Sequence, residues 1–369
     1  MGSAPQTRPT DSAPASRPAR GLFQQEDVFL SGQGGYHTYR IPAVVVCGKG
    51  TVLAFCEGRR KGVGDAGAID LLLKRSLDGG KTWQATQVVW QDGQNTCGNP
   101  CPLVDRDTGF VWLLMTWNLG SDTERQIMAG TSKDARRVFV THSEDDGATW
   151  AKPVEITANV KRPHWRWYAT GPGHAIQLST GRLLAPCDHS DHSGQGHPYR
   201  SHVVYSDDHG KTWKLGGVLG EKTNECTAAE GADGSVYLNM RSYHGAGRRA
   251  AAWSKDGGLT WSDVKLDDAL VEPVCQASVL RLTGLADRDK ARMLFANPAG
   301  TKREKLTVRL SDDGGKTWPV ARVIHEGSAA YCDLAALGDG TILCLYERQE
   351  YSRITLVRFD LAWLADKSQ

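Results

Sequence analysis

The chain has 369 residues, of which 40% are hydrophobic and 41 are glycine, a composition typical of a globular, turn-rich β protein. Its formal net charge is only +2, so no overall positive field favours nucleic acid or an anionic membrane as a partner. A negatively charged ligand would therefore need a local cluster of arginine side chains.

Residues 1–21 precede the first strand-like run and contain four prolines among serine, threonine and alanine, with no apolar run. This composition predicts a disordered leader, or a remnant of cloning, in front of a single domain over residues 22–365. No later stretch is apolar for long enough to span a bilayer. The compartment is left open, and we expect secretion or a periplasmic location only if an export signal has been removed.

One short string, S-x-D-x-G-x-T-W, occurs five times in the chain. Aspartate and glycine suit a tight turn, and the closing tryptophan supplies a large apolar side chain that anchors it. The copies lie between 48 and 67 residues apart, a spacing typical of propeller blades. They begin at Ser76, Ser143, Ser206, Ser254 and Ser311.

Strand-like runs recur in groups of three, and five of the six groups end in one of these turns. The sixth group lacks an outer strand, and we expect the run Gln25–Leu30 to supply it and to close a ring that protects the sheet edges. The sequence thus predicts an all-β fold, a six-bladed β-propeller. The first runs of the groups cover residues 40–46, 99–104, 173–178, 224–229, 274–279 and 330–335.

The order of the strands separates two faces of such a propeller. In an up-and-down blade, the start of strand one, the end of strand two and the start of strand three lie on the same face. The repeated turns follow strand three, so they lie on the opposite face. We therefore interpret them as structural turns and not as catalytic or calcium-binding loops.

Charged and phenolic residues from separate groups collect on the first face. Each one alone has the ordinary explanation of a surface charge, but together they share one topological position. Several arginines at one mouth repel one another unless carboxylates or an anionic ligand offset them, so the cluster predicts a receptor for carboxylate or phosphate. The set comprises Arg40, Glu57, Arg59, Arg60, Asp65, Glu225, Arg241, Arg303, Tyr331 and Glu347.

Over residues 23–359 the chain resembles the sialidase (exo-α-neuraminidase) family. The resemblance is carried by the motif Tyr39-Arg40-Ile41-Pro42, the five aspartate boxes and the order Arg, Asp, Glu, Arg, Arg, Tyr, Glu along the chain. The boxes alone are weak evidence of activity, because non-enzymatic propellers carry them too. The resemblance implies release of terminal α-linked sialic acids from glycoconjugates, with no metal or organic cofactor.

The resemblance also implies a role for each matching residue. Arg40, Arg241 and Arg303 would grip the carboxylate of sialic acid, and Glu347 would orient Arg40.

Tyr331 would be the nucleophile and Glu225 its base. Asp65 would be the acid/base on a glycine-containing loop that we expect to be mobile, and Arg59 would contact polar substituents of the sugar. A tyrosine nucleophile makes sialidases an exception among glycosidases. A neutral phenol avoids the repulsion that a carboxylate nucleophile would meet from the carboxylate on the anomeric carbon of sialic acid.

Other activities fit the same residues. A trans-sialidase, or a hydrolase specific for deaminated sialic acid, would use the same catalytic groups. A non-catalytic sialic-acid-binding propeller would be expected to lose Tyr331 or Asp65, and both are present.

Three further features have ordinary explanations. The nine cysteines lie mostly in apolar runs and are expected to be buried free thiols. The segment Asp188–His197, with His189, His192 and His197, has the composition of a metal site, but we expect an exposed loop that contacts substrate at the rim. Core or rim packing is expected for Trp117, Trp165, Trp167 and Tyr168, with stacking against substrate as the alternative.

Overall fold

A computed structural model describes residues 21–193, 196–282 and 291–366. The predicted leader therefore lies outside the described residues except for Gly21. Within these ranges the protein is all-β, with 24 strands and three short helices. No helix in the described part of the chain has the length and apolar character needed to cross a membrane.

The first half of the chain contains strands β1 (Phe23–Leu30), β2 (Thr38–Val46), β3 (Val52–Arg59), β4 (Ile69–Ser76), β5 (Gln87–Trp90), β6 (Thr96–Val104), β7 (Val111–Asn118), β8 (Arg137–Ser143), β9 (Val154–Glu155), β10 (Trp165–Thr170), β11 (Ile176–Gln177) and β12 (Leu183–Asp191). The second half contains β13 (Tyr199–Ser206), β14 (Lys214–Glu221), β15 (Thr223–Glu230), β16 (Val236–Ser242), β17 (Arg248–Ser254), β18 (Lys265–Val271), β19 (Ser278–Arg281), β20 (Met293–Pro298), β21 (Glu304–Ser311), β22 (Val320–Ala336), β23 (Ile342–Arg348) and β24 (Arg353–Phe359). The helices are α1 (Glu124–Ala129), α2 (Thr157–Val160) and α3 (Leu361–Ala365).

Consecutive strands pair antiparallel, as short connections favour. The orders β2-β3-β4-β5, β6-β7-β8-β9, β12-β13-β14 and β15-β16-β17-β18 each follow the chain. Strand β22 is long enough to serve twice, because its first part pairs with β21 and its second part pairs with β23. The predicted run at 330–335 is therefore the end of a 17-residue strand.

The N-terminal run pairs with the last strand, as the sequence predicted. Strand β1 lies antiparallel to β24, with Phe23 opposite Phe359 and Leu30 opposite Arg353. Asp27 of β1 also accepts hydrogen bonds from Arg348 at 2.7 Å and from Thr355 at 2.6 Å. Strands from the two ends of the chain thus share one sheet.

The prediction of a strand at residues 173–178, the first of the third group, is wrong for most of that range. Only Ile176–Gln177 forms a strand there, while β10, at residues 165–170, supplies the main partner of β12. Pro172 has no N–H to give to a ladder, and Gly171 and Gly173 have φ values of 65° and 104°. The run predicted at 274–279 is likewise shifted, to β19 at Ser278–Arg281.

The five repeated turns share one hydrogen-bond pattern. In each, the serine hydroxyl donates to the aspartate at 2.7–2.8 Å and accepts the N–H of the glycine four residues later at 2.8–2.9 Å. The aspartate also accepts the threonine hydroxyl at 2.5–2.7 Å. Donors of the turn itself therefore use both carboxylate oxygens, which fits a structural role.

Apolar side chains pack between neighbouring sheets. One cluster joins Leu114 of β7 to Ala185 of β12, and another joins Leu184 of β12 to Leu238 of β16. All nine cysteines are buried and unpaired, as predicted. Because the core lies between the sheets, the ends of the strands remain free to build a site.

Candidate active site

The predicted site residues converge on one pocket of about 180 Å³. Glu347 lies directly behind its wall, with Oε1 2.6 Å from Nε of Arg40. Arg60 instead pairs with Asp70 at 2.5 Å and does not line the pocket. The predicted residues that line it are Arg40, Glu57, Arg59, Asp65, Glu225, Arg241, Arg303 and Tyr331.

Irregular pairing on β2, β15 and β22 places three of these side chains. The register shifts between Arg40 and Ala43, between Thr223 and Cys226, and between Ala329 and Cys332. Such bulges re-aim a side chain next to a site. Ile41, in the first of them, has φ 60°, which is unusual for a β-branched residue, and its N–H donates to Glu347 Oε1 at 2.8 Å.

Tyr331 and Glu225 form the centre of the pocket. The phenol of Tyr331 donates to Glu225 Oε1 at 2.5 Å, and Arg241 Nη1 lies 2.8 Å from Glu225 Oε2 and 3.3 Å from the phenol oxygen. Burial, followed by the charge of Glu225, raises the pKa of Tyr331 well above its ordinary value. The phenol is therefore neutral at physiological pH and hydrogen-bonded to a base.

The three predicted arginines surround the ring of Tyr331. The guanidinium carbons of Arg40 and Arg303 lie 5.4 Å and 5.7 Å from its centroid. Burial alone would lower the pKa of Arg40, but the charge of Glu347 reverses this effect and raises it. Among the described residues, Arg303 has no carboxylate partner and donates only to the Tyr351 hydroxyl at 3.2 Å and the Val274 carbonyl at 3.4 Å.

Asp65 lies at the mouth, in the loop between β3 and β4. Its side chain is 61% exposed, and Oδ1 lies 2.7 Å from Nη1 of Arg59. Arg59 is itself held by Glu57 at 2.7 Å. Partial loss of hydration beside the pocket walls would raise the pKa of Asp65, but the charges of Arg59 and then Arg40 outweigh this effect and lower the pKa. Its carboxyl therefore favours the ionised form.

The far wall of the pocket contains one residue named from the sequence, Trp167, and three others that no motif indicated. Arg136 is only 2% exposed and lies over the ring of Trp167, with 3.9 Å between its guanidinium carbon and the centroid. Burial lowers the pKa of Arg136 to about 10. The Tyr199 hydroxyl donates to Glu124 at 2.5 Å. No repeated motif contains Arg136, Glu124 or Tyr199, so no pattern in one sequence pointed to them.

The histidine-containing segment is partly a strand, so the prediction of an exposed loop is wrong for its first half. Asp188, His189 and Ser190 belong to β12 and are buried. Asp188 lines the pocket, and burial raises its pKa well above the ordinary value. The ring of His197 stacks on Tyr243, which also lines the pocket. Residues 194 and 195 lie outside the described ranges.

The aromatic residues divide between core and pocket. The ring of Trp165 stacks on His189 with 3.4 Å between centroids, and Tyr168 is fully buried. Trp117 packs against the cluster between β4 and β7, and its Nε1 donates to Asp92 at 2.8 Å. Only Trp167 of the four lines the pocket.

Comparisons with known proteins point to one family. Residues 50–344 match a family described as BNR repeat-like domain. A sialidase of Micromonospora viridifaciens is 36% identical, over 95% of this chain and 56% of that protein. An exo-alpha-sialidase of Aspergillus fumigatus is 33% identical, over 89% of this chain and 86% of that protein.

Structural comparison agrees with these matches. The solved structure of Hadza microbial sialidase Hz136 superposes with a TM-score of 0.85 at 30% identity, over 92% of this chain and 69% of that one. The chain spans little more than half the length of the Micromonospora relative but most of the Aspergillus one. It belongs to the sialidase family of glycoside hydrolases.

Proposed function

We propose that this protein is a retaining exo-α-sialidase that hydrolyses terminal α-linked sialic acids through a covalent intermediate on Tyr331. The observation that carries the proposal is the contact of one neutral phenol with a carboxylate base, 2.5 Å away, inside a ring of arginines. An acid sugar needs both a cationic receptor and a nucleophile without negative charge.

The arginines would bind the sugar by its carboxylate. Arg40 and Arg241 each already have a glutamate partner, at 2.6 Å and 2.8 Å, which fixes the guanidinium and leaves further N–H groups for a ligand. Arg303 has no carboxylate partner within the described ranges, so it offers the least compensated charge to an anion. Charge-assisted contacts of this kind are strong and directional.

The first displacement would use Tyr331 and Glu225. The phenol oxygen forms a bond to the anomeric carbon while its proton passes to Glu225, and the bond from that carbon to the glycosidic oxygen breaks. Asp65 gives a proton to the departing oxygen. In the second displacement Asp65 takes a proton from water, the water oxygen replaces Tyr331 at the anomeric carbon, and Glu225 returns the proton to the phenolate. Two inversions give net retention.

The acid role of Asp65 requires that substrate binding change its charge balance. The charges of Arg59 and Arg40 lower the pKa of Asp65. A bound carboxylate would offset the charge of Arg40 and so raise the pKa of Asp65 towards that of a useful acid. Arg59 would then be free to contact polar substituents of the sugar.

The substrates would be sialylated glycoconjugates, and the proposed chemistry uses no metal or organic cofactor. We also propose a single domain over residues 22–365, in which the strands form six blades around one axis. The antiparallel runs in chain order and the pairing of β1 with β24 support this arrangement. A closed ring would bring the starts of several inner strands to one mouth.

Release of a fluorophore from an α-linked sialoside tests the proposal. We expect Tyr331→Phe to lose several orders of magnitude in turnover, because the nucleophilic oxygen is gone. Tyr351→Phe is the matched control, since it removes a hydroxyl that contacts Arg303 but not Glu225. Near-normal turnover by Tyr331→Phe would overturn the mechanism, and an inactive wild type would favour a protein that only binds sialic acid.

A further inference from the structure

Asp333 lies two residues beyond Tyr331 on β22 and is completely buried. Its carboxylate accepts the N–H of Val44 at 2.8 Å and the hydroxyl of Ser278 at 2.8 Å, and it pairs with Nδ1 of His174 at 2.7 Å. These partners lie on β2, on β19 and in the segment between β10 and β11. One side chain therefore ties β22 to three distant parts of the chain.

This junction separates two cavities. Tyr331 lines the pocket of the candidate site, whereas Leu334, Ala335 and His174 line a second cavity of about 460 Å³. Asp333 lies between Tyr331 and Leu334 along the strand. The pair of Asp333 and His174 thus forms a layer beneath the site and above the second cavity.

The backbone between Tyr331 and Asp333 is held from the side as well. The amide of Gln276 accepts the N–H of Cys332 at 3.0 Å and donates to its carbonyl at 2.9 Å. A Cβ atom on Gly173 would lie 3.1 Å from Asp333 Oδ1 and 3.2 Å from Gln276 Nε2, so glycine allows this close approach. The strand is therefore fixed on both sides of Cys332.

The charges of the junction reinforce its geometry. Burial would lower the pKa of His174, but Asp333 outweighs this effect and raises it. The contact at 2.7 Å makes the two side chains direct hydrogen-bond partners inside the core. Removing either side chain leaves the other buried without that partner, which is costly unless the strands move apart.

We propose that Asp333 and His174 are positioning residues that hold Tyr331 at the correct place against Glu225 and the arginines. The inference rests on the proposed function, in which Tyr331 is the nucleophile. A displacement of about 1 Å at a reacting atom can reduce a rate by about 100-fold. We expect a smaller effect on the arginines, because Arg40 and Arg241 keep their own glutamate partners at 2.6 Å and 2.8 Å when the junction is broken.

Four variants test the proposal. Asp333→Asn and His174→Ala break the junction, whereas His174→Asn keeps a side-chain N–H near the position of Nδ1. Asp105→Asn is the matched control, because Asp105 is an equally buried carboxylate that accepts the amide of Gln177 at 2.8 Å and does not line the pocket. Each is assayed with a fluorogenic α-sialoside well below its unfolding temperature, and the rate of covalent labelling by a fluorinated sialoside is followed by mass spectrometry.

We expect Asp333→Asn and His174→Ala to lower kcat and the labelling rate by about 10-fold to 100-fold with KM changed by less than about threefold. His174→Asn should recover much of the loss, and Asp105→Asn should lower stability alone. If Asp333→Asn does not fold, the comparison of His174→Ala with His174→Asn tests the positioning role. The positioning role would be overturned if turnover and labelling by Asp333→Asn and His174→Ala stayed within twofold of those by Asp105→Asn. If Tyr331→Phe is inactive in the same assay, that result leaves Tyr331 as the nucleophile. Normal turnover by Tyr331→Phe would overturn both.

Discussion

Glu347 shows how one residue organises several parts of the candidate site. Its carboxylate is completely buried and contacts Arg40 at 2.6 Å, the N–H of Ile41 at 2.8 Å and the N–H of Tyr331 at 3.1 Å. Glu57 makes a similar set of contacts, since it accepts hydrogen bonds from Arg59 and from the N–H of Asn99 on β6. Near the ends of β3 and β23, a buried glutamate therefore fixes both an arginine and the backbone of a neighbouring strand.

Arg303 should matter chiefly for binding, because, of the three arginines proposed to bind the carboxylate, it is the one without a carboxylate partner in the described ranges. We expect Arg303→Ala to raise KM strongly, corresponding to a loss of about 2–3 kcal/mol for a charge-assisted contact. Steady-state kinetics on the fluorogenic sialoside measure the effect. Arg182→Ala, which removes a surface pair with Asp207, serves as the control. Unchanged KM and kcat would place Arg303 outside the carboxylate receptor.

Asp65 should matter according to the leaving group. A phenol with a low pKa departs without a proton, whereas a sugar hydroxyl needs one from an acid. We therefore expect Asp65→Asn to lose about 100-fold or more on a sialylated oligosaccharide and much less in the first step on an activated aryl sialoside. Pre-steady-state release of the aryl group separates the two steps. Equal losses on both substrates would contradict the acid role.

Strands β12 and β13 each carry a buried histidine behind the pocket. Nδ1 of His189 lies 3.0 Å from Nδ1 of His202, and Nε2 of His202 lies 2.9 Å from the Tyr168 hydroxyl. Burial lowers the pKa of His202 to about 3 and lowers that of His189 as well. Both rings are therefore neutral in the folded protein.

These two histidines predict a loss of stability in acid. An unfolded histidine binds a proton below a pKa of about 6.5, while the folded ones do not until lower pH, so the unfolded state gains protons as pH falls. The contribution of the two histidines to the free energy of unfolding should be complete above about pH 6.5. Below that pH, the free energy of unfolding should fall by up to about 1.4 kcal/mol per pH unit for each histidine. Urea unfolding between pH 7 and pH 4 measures this.

His202→Gln should make that slope shallower, and His164→Gln, at a ring with 41% of its side chain exposed, should leave it unchanged. Parallel slopes in wild type and His202→Gln would show that other groups control the acid sensitivity.

At the scale of the whole molecule, the two ends of the chain meet in one sheet. Strand β1 buries Val28 and Phe29 against the cluster that contains Leu345 and Leu356, and it covers the edge of β24. An uncovered edge strand exposes backbone groups that pair with other chains. The final strand therefore depends on a segment more than 300 residues earlier.

Two truncations test this dependence. Removal of residues 1–20 should leave the unfolding temperature unchanged, because these residues precede β1 and were predicted to be a leader. Removal of residues 1–31 should lower the unfolding temperature markedly and cause aggregation, because it deletes β1. Thermal unfolding and light scattering measure both effects. Equal stability of the two truncated proteins would show that β24 does not need this partner.

The sequence by itself determined the features that depend on local or repeated patterns. The aspartate boxes, the all-β class, the partner of the last strand and the candidate residues could all be predicted, because turn chemistry and strand order are visible in one chain. The family follows from the motif around Arg40 together with these repeats.

Only the tertiary structure decided which residues touch. Arg136, Glu124 and Tyr199 reach the pocket from segments without a motif, and contacts across the chain hold them there. Arg136 donates to the Tyr168 carbonyl of β10, and the Tyr199 hydroxyl of β13 donates to Glu124 of α1. The close approach of Gly173 to Asp333 likewise spans about 160 residues and leaves no periodic signal. The junction beneath Tyr331 exists only when these distant strands meet.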